Sequence, residues 1–170
     1  MRVMDEASIG AKFGSVAWND VLVSYFPRAI DVPTLTALHE AHLALRARHP
    51  AGTVTLGIIG GGIAIPPPDV RAYAGRIARE VSTRLLGEAI VLEGHPFWVR
   101  TARTALRTIH LVSSTWHPRQ VFGDIPSAAE WVVERSAYRS QGAAPLVAVA
   151  TGLVSAFHLR NSSSPPPIAP

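Results

Sequence analysis

Glu93-Gly94-His95-Pro96-Phe97-Trp98 sets a carboxylate and an imidazole two residues apart, a pairing able to act as acid and base wherever both side chains reach one substrate atom. An apolar run precedes this stretch and a helical pattern follows it. The stretch therefore falls at the carboxyl end of a strand, where open α/β sheets take their ligands. No nucleophile accompanies the pair, so the reading is a ligand-contacting loop through Glu93, His95 and Trp98, with catalysis by Glu93 and His95 as a rival. Gly60, Gly61 and Gly62 join the same candidate ligand site, because glycine lets backbone N–H groups approach a bound group closely. They do not make a phosphate-cradling loop. Lys-Ser or Lys-Thr does not follow them, and Ile63-Ala64-Ile65 and the prolines Pro66 to Pro68 stand before the next helix, as in a flexible strand-to-helix connection.

His39-Glu40-Ala41-His42 places two imidazoles at i and i+3 on one helical face, close enough to share a metal. The zinc-protease pattern needs i and i+4 within His-Glu-x-x-His, with a third ligand elsewhere. Leu35, Leu38 and Leu45 share the apolar stripe with His42, which makes it a core histidine bonded to a neighbour, and no metal site is expected. Arg100, Arg103, Arg107 and His110 fall within about 80° of arc on a helix. Arginine can simply keep such a face soluble, or the face can dock an acidic partner, and these four residues are the candidate partner-binding set. Aromatic residues do not interleave the stripe, as base stacking would require.

The elements that must position these residues alternate almost without break from Phe13 to Arg139. Phe13 to Trp18 and Val21 to Phe26 are rich in β-formers and flank Asn19-Asp20, which reads as a hairpin turn. Asp31 is placed to cap a helix with Pro33 in its first turn, and Leu35, Leu38, His42 and Leu45 carry its apolar face to His49-Pro50. Val54 to Ile59 is a continuous apolar run, as in a strand covered on both faces. A second helix is read from Asp69 through Val70, Tyr73, Ile77, Val81 and Leu85 to a stop at Gly87. Ala89 to Leu92 then reads as a short buried strand, Phe97 to Val112 as a third helix, and Gln120 to Phe122 as a last strand. Ser127-Ala128-Ala129-Glu130 reads as a capping box that opens a fourth helix. This order specifies an α/β fold: a single mixed, mostly parallel sheet of about five strands with an N-terminal β-hairpin and four helices, in which Val54 to Ile59 and Ala89 to Leu92 are the central pair.

The chain has 170 residues, enough for one domain that buries about 70% of the surface its unfolded form exposes. A hydrophobic fraction of 48% with 16% charged residues suits a compact core. The absence of cysteine removes disulfides, thiolate metal sites and a cysteine nucleophile together. The net charge of +4 rests on arginine, Lys12 being the only lysine, and is too small to imply nucleic acid. Acidic Asp5 and Glu6 stand where a signal peptide would be apolar, so a cytoplasmic location is expected. Residues 1–12 read as an N-terminal extension, 13–140 as the α/β domain, 141–160 as an apolar C-terminal segment and 161–170 as a disordered tail. Within that segment Pro145, Gly152 and His158 break the run short of the roughly 20 apolar residues a membrane span needs.

The order hairpin, helix, strand, helix, strand, helix, strand, helix resembles the STAS fold of the anti-sigma-factor antagonists. It is more similar to the divergent STAS-like proteins related to the CRAL-TRIO lipid carriers. Arg119-Gln120-Val121-Phe122 followed by Ser127-Ala128-Ala129-Glu130-Trp131 resembles the ending of the divergent group. The antagonists carry a phosphorylated serine in the loop after the third strand, whereas that loop here runs Gly60-Gly61-Gly62-Ile63-Ala64-Ile65-Pro66. The resemblance thus implies a STAS-like module without the phosphorylation switch, non-catalytic and regulatory, with another protein as its partner. A binder or carrier of an apolar or amphipathic, lipid-like small molecule is the second reading, and a small enzyme built on the Glu93/His95 loop the third. No cofactor, nucleic acid or membrane partner is expected. A closed core would favour the first reading, a sizeable apolar cavity the second, and a polar cleft joining Glu93 to His95 the third.

Overall fold

Asn19 takes the left-handed backbone conformation (φ 53°) that a tight turn between antiparallel strands demands, and around it the chain folds back as a hairpin. The structure is a computed structural model that describes residues 5–10, 12–95, 99–102, 106 and 117–162. The hairpin joins β2 (Gly14–Trp18) to β3 (Val21–Phe26), and β1 (Asp5–Ile9) adds to the free edge of β2. From β3 onward each strand pairs in parallel with the next: β4 (Thr53–Ile59), β5 (Leu85–Leu92) and β6 (Arg119–Phe122). The sheet therefore runs in sequence order, β1 to β6, antiparallel at one end and parallel over the rest. β4 and β5 are neighbours inside it, and the α/β class expected from the alternation is the class found. One strand more is present than the sequence suggested, because the stretch read as an N-terminal extension supplies β1.

Parallel strands that step steadily in one direction, with right-handed crossovers, put every connecting helix on the same face. α1 (Val32–Arg48) and α2 (Pro68–Ser82) are those connections. Asp31 caps α1 reciprocally, its carboxylate accepting from the Thr34 N–H while the Thr34 hydroxyl accepts from the Asp31 N–H, both at 2.9 Å. The other face is covered after β6 by α3 (Ile125–Val133) and α4 (Ala144–Ser162). Here Val16, Trp18, Val54 and Leu56 meet Val132, Leu146 and Phe157, all buried, in one continuous core. The apolar segment beyond residue 140 is thus a helix of the same core rather than a separate region, and it reaches Ser162. Among the described residues the α1/α2 face holds two small clusters, Phe13 with Phe26 and Ile63, and Leu35 with Val70 and Ile77.

Two helix boundaries differ from the sequence reading. α2 ends at Ser82, not Gly87, and Leu85, Gly87 and Glu88 belong to β5. Gly87 lies where the α3 side chains press on the sheet: a Cβ there would come within 2.8 Å of Arg135 Cδ and 3.0 Å of the Trp131 ring. The glycine makes room for packing and does not stop a helix. α3 opens at Ile125 with Asp124 as its cap, the carboxylate accepting from the Ser127 N–H at 2.7 Å, so Ser127 sits one turn inside the helix instead of capping it. Of the third helix read from the sequence, residues 99–102 and 106 are helical; the remainder lies outside the described residues.

Candidate functional site

The strand run Val54 to Ile59 is buried on one face only. Val54, Leu56 and Ile58 point into the α3/α4 core, whereas Thr55, Gly57 and Ile59 point toward α1 and α2 and keep some accessibility. Parallel register sets Thr55 opposite Glu88 and Glu88 opposite Arg119, a polar row across β4, β5 and β6. The next row on that face holds Ser24, Gly57 and Ile90. α1 and α2 bridge over these rows with Leu35, Leu38, Val70 and Ile77, and a cavity of about 200 Å³ remains between helices and sheet. Its lining is mainly apolar. Gly57 lies on its floor, where a Cβ would meet nothing closer than Ser24 Oγ at 3.7 Å.

The polar row carries a network that would be costly if left unmade. Glu88 Oε2 accepts from Arg119 through Nε at 2.6 Å and pairs with Nη2 at 2.5 Å, and His117 Nε2 lies 3.1 Å from the same oxygen. Burial alone would push the Glu88 carboxyl up; the hydrogen bond from His117 and the Arg119 charge outweigh it and hold the group below the usual glutamate range. Glu88 is therefore a carboxylate, and the proton of the His117 contact resides on Nε2. The opposite nitrogen, His117 Nδ1, is buried and has no partner. Neither has Thr55 Oγ1, nor His39 Nδ1, the latter on a ring whose Nε2 pairs with Glu80 at 3.1 Å. All three residues border the cavity. Buried polar atoms are nearly always paired, so three orphans round one void mark a place where something else supplies the partner.

The chain matches no protein-family model, no curated protein and no solved structure. What the site does must therefore be argued from its own geometry.

The residues proposed from sequence are placed elsewhere. Glu93 is half-buried on the α4 side of the sheet; burial pushes its carboxyl up, with the His158 charge opposing, and its charge in turn helps burial raise the Tyr25 hydroxyl. Tyr25 Oη is 3.1 Å from His158 Nε2. His95 is exposed, and its carbonyl accepts from the Val99 N–H at 3.1 Å at the start of the next helical segment. Glu93 thus faces His158 and Tyr25. Gly60 to Gly62 form the connection from β4 toward α2, and a Cβ on Gly61 would come within 2.9 Å of Gly94 Cα, so glycine is required there for two loops to touch. α2 begins only at Pro68, too far along the chain to present its N-terminus to an anion held by those glycines. Trp98, Arg103, Arg107 and His110 lie outside the described residues; Arg100 is exposed.

His39 and His42 take separate partners, Glu80 and Thr53, the latter through His42 Nε2 and Thr53 Oγ1 at 3.0 Å. Among the described residues no three His, Asp or Glu side chains gather as metal ligands. Among them, too, no helix is long and apolar enough to cross a membrane. The sequence reading passed over Thr55, Glu88 and His117, set Gly57 aside with the phosphate-loop comparison, and met Arg119 only as part of the last strand. One signal was available: a charged residue directly before the apolar run Ala89 to Leu92 has to be paired if it lies in the strand, and His117 and Arg119 are the groups flanking the next strand.

Proposed function

We propose that this protein binds a small, largely apolar molecule in the cavity between the sheet and the α1/α2 pair, as a carrier or as a ligand-responsive module. The observation that carries this reading is the asymmetry of the two sheet faces. The α3/α4 face is filled by one continuous buried core, while the opposite face keeps about 200 Å³ of space bordered by the unpartnered Thr55 Oγ1 and His117 Nδ1. Cavities that serve no purpose cost stability in proportion to their volume. Ligand sites are concave and mainly apolar with a few convergent polar groups, which is the composition here. Binding fits the site better than turnover does, since the Glu88 carboxylate is engaged by His117 and Arg119 and Glu93 lies on the far face.

The test is a cavity-filling variant. Gly57→Leu puts a side chain into open space without demanding an unusual backbone angle, so the fold is expected to persist and to gain stability. Protein purified from its native host is extracted with organic solvent and the extract read by mass spectrometry. A compound found with the wild type and missing from Gly57→Leu supports the reading. An identical extract from both proteins, with the variant folded, defeats it.

A further inference from the structure

Resting on that cavity reading, we infer that the ligand is a neutral molecule of about one ring carrying a hydroxyl group, a phenol or short alcohol, and that Thr55 and His117 recognise the hydroxyl. Three features of the site point there. The first is volume: an apolar cavity of about 150 Å³ accommodates benzene, so about 200 Å³ suits a single substituted ring or a short chain.

The second is charge. Arg119 is the guanidinium on the polar row, and Glu88 meets it through two nitrogens, so the two charges offset each other. A carboxylate or phosphate set against this row would be stripped of water beside the Glu88 carboxylate, whose guanidinium is already engaged; Arg71, also on the cavity wall, comes from α2 and gives its Nη1 to the Pro66 carbonyl at 2.9 Å, outside the row.

The third is the set of hydrogen bonds left unmade. His117 gives its Nε2 proton to Glu88, which leaves the buried Nδ1 to a further partner; its side chain is only 1% exposed. His39 is arranged the same way against Glu80. Thr55 offers a hydroxyl that both gives and accepts. Two ring nitrogens and one hydroxyl around an apolar void call for a ligand group able both to give and to accept a hydrogen bond, and a hydroxyl can pair with a ring nitrogen and with Thr55 at once.

The experiment compares p-cresol, toluene and benzoate, three probes of similar size, by two-dimensional NMR titration of the full chain. Expected is binding of p-cresol at least about threefold tighter than toluene, as one extra hydrogen bond provides, with benzoate weakest. Thr55→Val, which keeps the side-chain shape, should bring p-cresol down to the toluene affinity and leave toluene unchanged; His117→Phe should do the same. Gly57→Leu should abolish the shifts from all three. Toluene matching p-cresol, benzoate binding best, or p-cresol affinity indifferent to both Thr55→Val and His117→Phe overturns the ligand class while leaving the cavity reading intact. No shift with any probe, or shifts that survive Gly57→Leu, overturns the cavity reading itself and the ligand class with it.

Discussion

Glu88 on β5 and Arg119 on β6 stand directly opposite in parallel register, and one carboxylate oxygen takes both the Nε and the Nη2 of the guanidinium, at 2.6 and 2.5 Å. This pair closes one side of the cavity and decides its electrostatics. Removing one partner strands the other. Arg119→Met should destabilise the protein by about 2 kcal/mol, less than the roughly 3–5 kcal/mol typical of a fully enclosed pair because a quarter of the Glu88 side chain remains accessible. Adding Glu88→Gln should recover part of the loss. Urea unfolding of the single and double variants measures both, and equal stability of wild type and Arg119→Met would show the pair to be unimportant. Since the folded carboxyl lies below its ordinary value of 4.5, this contribution is present above that pH and is lost as the pH falls beneath it.

His42 should give a second, separate pH dependence. Burial, with the Arg46 charge adding, lowers its pKa from 6.5 to about 4 while Thr53 holds its Nε2. The unfolded chain then binds a proton that the folded one refuses. Stability is full above pH 6.5 and should fall by about 3 kcal/mol as the pH drops through the window from 6.5 to about 4. His42→Gln keeps a hydrogen-bonding group near Thr53 and cannot titrate, so unfolding curves for this variant should be flatter across that window. A variant as pH-sensitive as the wild type would assign the proton elsewhere.

Asp20 fastens the hairpin turn to the segment after α3. Its buried carboxylate accepts from the Ser136 hydroxyl at 2.5 Å and from the Ala137 N–H at 2.8 Å. Asp20→Ala should cost about 2 kcal/mol, since it leaves the Ser136 hydroxyl and the Ala137 N–H without their acceptor. Hydrogen exchange at Ala137 should accelerate more than exchange in β4. Uniform acceleration across the chain would mean that the turn acts only through global stability.

Gly87 tests the packing of α3 on the sheet. Arg135 lies over the Trp131 ring at 3.6 Å, and both side chains occupy the space a larger residue at 87 would need. Gly87→Val should destabilise by about 2 kcal/mol through overpacking and should shift the tryptophan emission. Unaltered emission with unaltered stability would show that the pair moves aside without cost.

Much of the framework is dictated locally. Asn19-Asp20 turns the hairpin, and Asp31 with Pro33 starts α1, because capping and turn formation depend on residues within three or four positions. The apolar runs of β4 and β5 likewise declare interior strands. Local pattern misled where one residue type serves two ends: Gly87 reads as a helix stop and is a space for Trp131, and that reading hid Glu88 from the strand it belongs to. β1 and the burial of Phe157 on α4 needed the finished sheet, since an edge and a face exist only once the strands between them have paired. The cavity belongs wholly to tertiary structure. Thr55, Glu88, His117 and Arg119 converge because parallel crossovers set distant strands in register, and Gly57 becomes a floor because α1 and α2 span above it without filling the gap. A sequence fixes which side chains a strand carries to each face; what stands opposite them is decided by packing, and that opposition makes the site.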